Sequence, residues 1–180
     1  MLVIFAGLPG TGKSTIARAI AERLGATVLD KDFVRYAMFG PDRITFATEQ
    51  DDIVVERMLE FAGDMLSKDP KRIIILDGRV FSRNAQLNRV TDFADAIPKP
   101  WVVAECVCSP SSAKQRLAAD LGKHIAANRT PELYDEVATR FEPIPQPKIV
   151  INTDRDLATC VEEVVAATRN SSTNRKAPLL

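Results

Sequence analysis

The stretch of residues 2–14 reads LVIFAGLPGTGKS and decides the fold of this chain. Its first five residues are apolar without interruption, which is typical of a strand covered on both faces. Residues 7–14 match the pattern G-x-x-x-x-G-K-S/T at every position. Glycines let such a loop point successive N–H groups into one concavity, and the helix behind it adds its own free N–H groups. The stretch therefore predicts a strand, a phosphate-binding loop and a helix, in that order.

This loop supplies the first set of candidate site residues. Lys13 is expected to reach the β- and γ-phosphates of a nucleoside triphosphate, and the hydroxyl of Ser14 is expected to ligate Mg²⁺. A dinucleotide-binding loop is disfavoured, because glycines at 7, 10 and 12 do not give G-x-G-x-x-G. A glycine-rich turn without a ligand is the other alternative, and the strand and helix on either side disfavour it. The predicted phosphate-binding residues are Gly7, Leu8, Pro9, Gly10, Thr11, Gly12, Lys13, Ser14 and Thr15.

Strand-like and helix-like stretches alternate along the rest of the chain, which predicts an α/β domain of three layers around a five-stranded parallel sheet. The domain is expected to span residues 1–169, with a lid at about 117–135 and a flexible tail over 170–180. Thr48 and Asp51 form a possible capping box, and Ser82 is the expected cap of a later helix. The expected strands are residues 2–6, 27–29, 72–76, 101–107 and 148–151, and the expected helices are 13–24, 32–39, 48–68, one from Ser82 to 96, one from 110 to 120, and one capped by Asp154 or Asp156.

The composition excludes several classes of protein. Of 180 residues, 46% are hydrophobic and 27% charged, which is ordinary for one globular domain and excludes wholesale disorder. The formal net charge is zero, which disfavours a module that grips long nucleic acid through its phosphates. No apolar run approaches the length of a membrane span, and we expect a cytoplasmic protein. Three cysteines without further ligands at suitable spacing favour reduced structural thiols over a metal site.

The sequence after the third expected strand separates classes of triphosphate-binding domain. A GTPase switch needs a guanine-reading N-K-x-D sequence, which the chain lacks. A remodelling ATPase usually carries D-E at the end of this strand, whereas here the strand is followed by Asp77 and Gly78. Asp77 is a candidate to hold Mg²⁺ through water, although aspartate is also common where strands turn.

A second cluster, Asp30-Lys31-Asp32-Phe33-Val34-Arg35, follows the second expected strand. In an open α/β sheet, ligands lie beyond the carboxyl ends of the strands, so these side chains are expected to face the phosphate-binding loop. One of Asp30 and Asp32 would then lie near the metal, while the other accepts a proton from an incoming hydroxyl. Arg35 would hold an anionic part of the acceptor. The alternative is a helix capped by Asp32 with Arg35 on the surface.

Residues 7–15 and 30–35 together resemble the small P-loop kinases, most of all the branch that includes the polynucleotide 5′-hydroxyl kinases. The resemblance implies a nucleoside- or shikimate-kinase-like fold, ATP and Mg²⁺ as cofactors, Asp32 as the general base and Arg35 as the acceptor clamp. Shikimate kinase has a D-x-D that Asp30 and Asp32 match, but its further glycine motif is reduced here to Gly78. Gluconate kinase, adenylylsulfate kinase and chloramphenicol phosphotransferase are similar in length.

The resemblance also implies a helical lid whose arginine neutralises the transferring phosphate. Arg116, Lys123 and Arg129 are the candidates, with Arg116 preferred and Arg129 second. The usual close pair of arginines is missing, because Asp120 stands where a second is expected. Outside the lid, Arg79 is expected to line the acceptor side and Arg89 to lie on the surface.

These observations predict an ATP- and Mg²⁺-dependent kinase that transfers the γ-phosphoryl group to a hydroxyl of a small molecule. A polynucleotide 5′-hydroxyl kinase is the first alternative: the spacing of Asp32 and Arg35 favours it, and the zero net charge disfavours it. A nucleotide-gated regulatory ATPase is the alternative of another class. The expected partners are a nucleoside triphosphate and a hydroxyl-bearing substrate, which in the first alternative is a nucleic-acid end; no membrane partner is expected.

Overall fold

Five parallel strands form one sheet in the order β2-β3-β1-β4-β5 in the computed structural model, which describes residues 1–123, 125–126 and 128–173. The predicted α/β architecture with five parallel strands is therefore confirmed. The elements are β1 (Leu2–Ala6), α1 (Lys13–Leu24), β2 (Thr27–Asp30), α2 (Lys31–Phe39), a 3-10 helix (Pro41–Arg43), α3 (Thr48–Lys68), β3 (Ile74–Asp77), α4 (Asn84–Ala96), β4 (Trp101–Val107), α5 (Pro110–Ala119), α6 (Pro131–Ala138), β5 (Ile149–Asn152) and α7 (Leu157–Thr173).

The central strand β1 separates the two halves of the core. Its side chains alternate between faces, as the period of a strand requires. Leu2 and Ile4 pack into the cluster that includes residues of α3 and α4, whereas Val3 and Phe5 pack into the cluster that includes residues of α1 and α7. All of β1 is buried, because helices cover both faces. The result is the predicted arrangement of three layers.

The sheet register brings the phosphate-binding loop next to the second candidate cluster. Strand β1 pairs with β3 on one side and β4 on the other, and β2 pairs with the far edge of β3. Asp30 at the end of β2 is the register partner of Asp77 at the end of β3. Because all strands are parallel, both carboxylates and the loop after β1 meet at the same edge of the sheet.

One alternative and one prediction for helix caps on the acceptor side are wrong. Helix α2 is capped by Asp30, whose Oδ1 accepts a hydrogen bond from the N–H of Asp32 at 2.8 Å, so Asp32 is not the cap. Helix α3 begins at Thr48 and has Ala47 at its N-cap with no side-chain cap, so Thr48 and Asp51 do not form a capping box. The reason is that the carboxylate of Asp51 is engaged by cations of neighbouring elements, as described below.

Other boundaries differ by a few residues. Strand β3 starts at Ile74 rather than at 72, and α4 is capped by Arg83 rather than by Ser82, because the side chain of Gln86 reaches back to the N–H of Arg83 at 3.2 Å. Ser109 caps α5, and its hydroxyl accepts a hydrogen bond from the N–H of Ser112 at 3.2 Å.

The predicted lid and tail are described in part. Helix α5 ends and α6 begins within the expected lid, residues 117–135, of which 124 and 127 lie outside the described residues. Helix α7 runs to Thr173, so the chain is still helical at residue 170, where the tail was expected to start. Residues 174–180 of that expected tail lie outside the described part. Within the described residues, no helix combines the length and the apolar character needed to cross a membrane.

Candidate active site

The loop between β1 and α1 has the backbone that its glycines predict. Gly7, Gly10 and Gly12 all have positive φ, at 127°, 75° and 82°. A Cβ at Gly7 would overlap the carbonyl oxygen of Cys106, and one at Gly10 would overlap that of Ala113. The loop is thus pressed against β4 and α5 so closely that only glycine fits at two of its turns. Such a backbone leaves room for an anion on its concave side.

Lys13 is turned back onto this loop. Its Nζ donates to the carbonyl oxygens of Gly7 at 2.8 Å and Leu8 at 2.7 Å, and the side chain is buried. Burial lowers the pKa of Lys13 to about 8, opposed by the nearby Cys106 and Asp77 and reinforced by the positive charge of Arg129. Carbonyl oxygens are weak partners for a buried ammonium ion, and phosphate oxygens would be stronger ones. The position and surroundings of Lys13 therefore fit a phosphate ligand.

A cleft of about 370 Å³ opens above the loop. Residues of the loop, α1, α2, α3, the segment after β3, α5 and the expected lid all line it. The basic side chains that line it are Lys13, Arg18, Lys31, Arg35, Arg79, Arg116, Arg129 and Arg140, against the acidic Asp32, Asp51 and Asp120. A chain with no net charge therefore concentrates positive charge around one cavity, which suits a polyanionic ligand.

The two carboxylates at the sheet edge are candidates to support a metal. Asp77 is 3% exposed, and its Oδ1 accepts no hydrogen bond from the described part of the chain. Burial raises the pKa of Asp30, and the neighbouring charge of Asp77 raises it further. A cation near both groups would relieve that repulsion.

The donor set fits Mg²⁺ bound mainly by phosphates and water. Ser14 lines the cleft, and Asp30 and Asp77 end the adjacent strands. Nowhere in the part of the chain that the structure describes do three or more His, Cys, Asp or Glu residues converge as a metal site. Mg²⁺ commonly keeps several waters and takes one or two carboxylates besides substrate phosphates, so such a cluster is not required.

The Asp32 carboxylate faces the cleft and is held by Arg35. Arg35 Nη1 lies 2.5 Å from Asp32 Oδ1, while Nη2 binds Asp51 Oδ1. The ring of Phe46 stacks on the guanidinium, with its centroid 5.1 Å from Cζ. Arg35 is only 1% exposed, so the predicted surface alternative for this residue is wrong. An acceptor anion reaches its Nη atoms only by replacing a carboxylate, and the clamp role of Arg35 stays a prediction.

Lys31 and Asp51 belong to the same group of charged side chains, and neither was among the predicted site residues. Lys31 Nζ lies 3.0 and 2.9 Å from the two carboxylate oxygens of Asp51. Arg79, which lines the cleft as expected, binds Asp52 at 2.6 Å and lies 3.7 Å from Asp51. Lys31 lies within the sequence cluster of residues 30–35, but the sequence analysis assigned it no function. The position of Asp51 in the sequence is explained equally well by a helix cap. Only the packing of α2 against α3 reveals their contact.

The lid candidates differ in what they contact. Arg116 donates to Thr153 Oγ1 at 2.9 Å and to the Thr153 carbonyl at 2.7 Å, and so ties α5 to the end of β5. Arg129 lies 3.8 Å from Asp120 and is close enough to Lys13 to lower its pKa. Both line the cleft, whereas Lys123 Nζ donates to the carbonyl of Ala119 at 2.9 Å. Arg89 pairs with Glu56, and both side chains are exposed, as the surface prediction for Arg89 requires.

A parallel sheet in this order, with a glycine-rich phosphate loop after its central strand, defines a P-loop nucleotide-binding domain. The chain belongs to the family described as AAA domain, whose model matches residues 2–144. No curated protein sequence matches it.

Solved structures of two kinases and of the protein Kti12 share the fold. The APS kinase of Mycobacterium tuberculosis, in complex with AMPPNP and APS, has a TM-score of 0.72 and 18% identity, covering 93% of this chain and 96% of that one. A gluconokinase from Sinorhizobium meliloti has a TM-score of 0.62 and 17% identity, covering 96% and 93%. Chaetomium thermophilum Kti12, in complex with ADP-AlF3, has a TM-score of 0.68 and 18% identity, covering 96% and 99%. The predicted resemblance to small P-loop kinases is confirmed at the level of the fold.

Proposed function

We propose that the protein is an ATP- and Mg²⁺-dependent phosphotransferase that moves the γ-phosphoryl group to a hydroxyl of a small-molecule acceptor. The observation that carries the proposal is that the carboxylate of Asp32 lines the same cleft as Lys13 and Ser14. Asp32 would then be the proton acceptor in the cleft that contains the phosphate-binding loop. The kinase fold of the solved neighbours supports the same reaction class.

The chain's own residues would act mainly by positioning and charge neutralisation. Backbone N–H groups of residues 10–15 and the ammonium of Lys13 would hold the phosphates. Asp32 would take the proton of the acceptor hydroxyl as its oxygen bonds to the γ-phosphorus and the bond to the departing ADP oxygen breaks. Bound Mg²⁺ would neutralise charge on the phosphates, and Ser14, with Asp30 and Asp77 through water, would hold it. Arg116 and Arg129 are the proposed sources of positive charge from the lid side.

Two alternatives each have an observation in their favour. A polynucleotide 5′-hydroxyl kinase is favoured by Phe33 and Tyr36, which are 63% and 45% exposed on α2 beside Asp32, because exposed aromatic rings stack with bases. A nucleotide-gated regulatory ATPase is favoured by the similarity to Kti12, which is not named as a kinase. We propose the small-molecule kinase first because the cleft, of about 370 Å³, has the volume of a small-molecule site.

The test is ADP release in the presence of a panel of hydroxyl acceptors, comparing metabolites, antibiotics, nucleosides and 5′-hydroxyl oligonucleotides. We expect one class to stimulate ADP release and to carry the label of γ-³²P-ATP. Asp32→Asn should lose this transfer and retain AMPPNP affinity by isothermal titration, whereas Asp64→Asn, an exposed aspartate of α3, should behave as wild type. Hydrolysis that ignores every acceptor and is equally fast in Asp32→Asn would overturn the proposal in favour of the regulatory ATPase.

A further inference from the structure

Asp51 lies in the first turn of α3 and faces cations from two other elements. Lys31 at the start of α2 binds both of its oxygens, Arg35 of α2 binds Oδ1, and Arg79 after β3 lies 3.7 Å from Oδ2. The three cationic side chains are between 2% and 10% exposed, against 20% for Asp51. One carboxylate therefore ties together the side of the cleft that holds Asp32.

The contact with Arg35 has the most direct consequence for Asp32. The guanidinium of Arg35 is planar, and its two terminal nitrogens are shared between Asp51 and Asp32. Phe46 packs on the face of the guanidinium, so the group cannot tilt out of its plane. The two ion pairs prevent it from turning within that plane. Without Asp51, one of the two in-plane contacts disappears, and the side chain that holds Asp32 would be fixed at one end only.

We propose that Asp51 is a positioning residue, which fixes Arg35 and through it holds the carboxylate of Asp32 toward the acceptor. This deepens the proposed function and rests on it, because Asp32 is the proton acceptor there. Asp51 itself need not touch the acceptor. Its work is to keep the Asp32 carboxylate at the distance and angle at which proton transfer is efficient.

The chain offers a matched control in the next residue. Asp52 is also on α3 and also binds a cation of the cleft, Arg79, at 2.6 Å, but within the described part of the chain it forms no ion pair with Arg35, and its side chain is 41% exposed. Asp52→Asn removes the same charge from the same helix turn. A difference between the Asn variants at 51 and 52 therefore reports the contacts of Asp51 with Lys31 and Arg35, and not a general loss of negative charge.

The kinetic arm measures phosphoryl transfer to whichever acceptor the wild type uses. We expect Asp51→Asn to lower kcat about 10²-fold while KM for the acceptor changes by less than about threefold, because a misplaced base slows chemistry without removing binding contacts. Asp52→Asn should stay within about twofold of wild type in both constants. Equal kcat in the two variants would overturn the proposal, and so would an Asp51→Asn defect confined to KM.

A spectroscopic arm does not depend on activity. Selective ¹⁵N labelling of arginine should give separate, slowly exchanging Nη signals for Arg35, which Arg35→Lys identifies by their loss. We expect these signals to persist in Asp52→Asn and to collapse to one averaged signal in Asp51→Asn, since a guanidinium held at one end rotates about its Nε–Cζ bond. Unchanged signals in Asp51→Asn would overturn the positioning role even if transfer were slow.

The two arms also separate the two proposals. If wild type phosphorylates no acceptor, the proposed function fails, and the spectroscopic arm alone decides whether Asp51 fixes Arg35. Should Asp51→Asn unfold, Asp51→Glu keeps the charge and lengthens the side chain by one methylene. That variant should remain folded by circular dichroism and show a kcat between those of wild type and Asp32→Asn; wild-type kcat together with wild-type Arg35 signals would count against the proposal.

Discussion

Asp30 and Asp77 are register partners at the carboxyl ends of β2 and β3, so two carboxylates stand side by side at the sheet edge that carries the phosphate-binding loop. Asp77 is 3% exposed, and one carboxylate oxygen of Asp30 accepts the hydrogen bond that caps α2. Burial and, after it, the neighbouring charge of Asp77 raise the pKa of Asp30. This pair is therefore the part of the site at which a bound cation changes the protein's own electrostatics most directly.

The first prediction concerns the ionisation of Asp30. Its raised pKa means that the folded state holds this proton more tightly than the unfolded chain does, so its contribution to the free energy of unfolding falls as pH rises from about 3.9, the unfolded value. Asp77→Asn removes the second cause of that shift and leaves burial, which is the first. In a ¹³C carboxyl titration by NMR, we expect the pKa of Asp30 to be lower in Asp77→Asn than in wild type. An unchanged pKa would show that the two carboxylates do not interact.

The second prediction concerns Lys13, whose pKa is lowered to about 8 by burial. Between that value and about 10.4 the unfolded chain binds more protons than the folded protein, so stability gained from this residue increases with pH. We expect the free energy of unfolding of wild type, measured with urea, to rise from pH 8 to 10 relative to Lys13→Met by on the order of 2 kcal/mol. Saturating AMPPNP should reduce the difference, since phosphate oxygens favour the charged form. A difference of opposite sign would contradict the burial of this ammonium.

The third prediction separates the two lid arginines. Arg129→Ala should lower kcat for phosphoryl transfer by about 10³-fold or more if it neutralises the transferring phosphate. Arg116→Ala should lower kcat if Arg116 has that role, and it should also lower the free energy of unfolding by about 1–3 kcal/mol. The reason is that the hydroxyl and the carbonyl oxygen of Thr153 lose their hydrogen bonds from Arg116. Lys123→Ala, an exposed cation of the same region, is the control and should match wild type in both measurements. If Arg116→Ala is stable and its kcat is unchanged, Arg129 would be the lid arginine that neutralises the transferring phosphate.

The fourth prediction tests the tightness of the phosphate-binding loop. Gly10 has a φ of 75°, and a Cβ there would overlap the carbonyl oxygen of Ala113. Gly25 also has a positive φ, at 62°, but nothing lies within 4 Å of a Cβ. We expect Gly25→Ala to cost about 1–2 kcal/mol of unfolding free energy and Gly10→Ala about 2–5 kcal/mol, together with a loss of AMPPNP affinity. Equal costs for the two variants would mean that α5 yields readily to the loop.

Local patterns in the sequence are sufficient to predict the strands and helices that form this fold. An unbroken apolar run at residues 2–6 has to be covered on both faces, and a helix must start where the glycines end at Lys13. The proline after Ser109 marks the start of α5 in the same way. The start of β3 is set by its pairing with β1, which no local pattern contains, whereas the start of α4 is set by the contact of Gln86 with Arg83 three residues before it.

The candidate site likewise has one part that local sequence patterns predict and another part that they do not. The phosphate-binding loop is one continuous segment whose conformation depends on its own glycines, so the sequence by itself determined its position and its charge, and predicted its class of ligand. The acceptor side is assembled from α2, α3 and the turn after β3, and only the tertiary structure decided that Asp51 faces Lys31 and Arg35 instead of capping its own helix. The physical reason is range: backbone conformation is set by near neighbours, whereas ion pairs between helices depend on how the whole core packs.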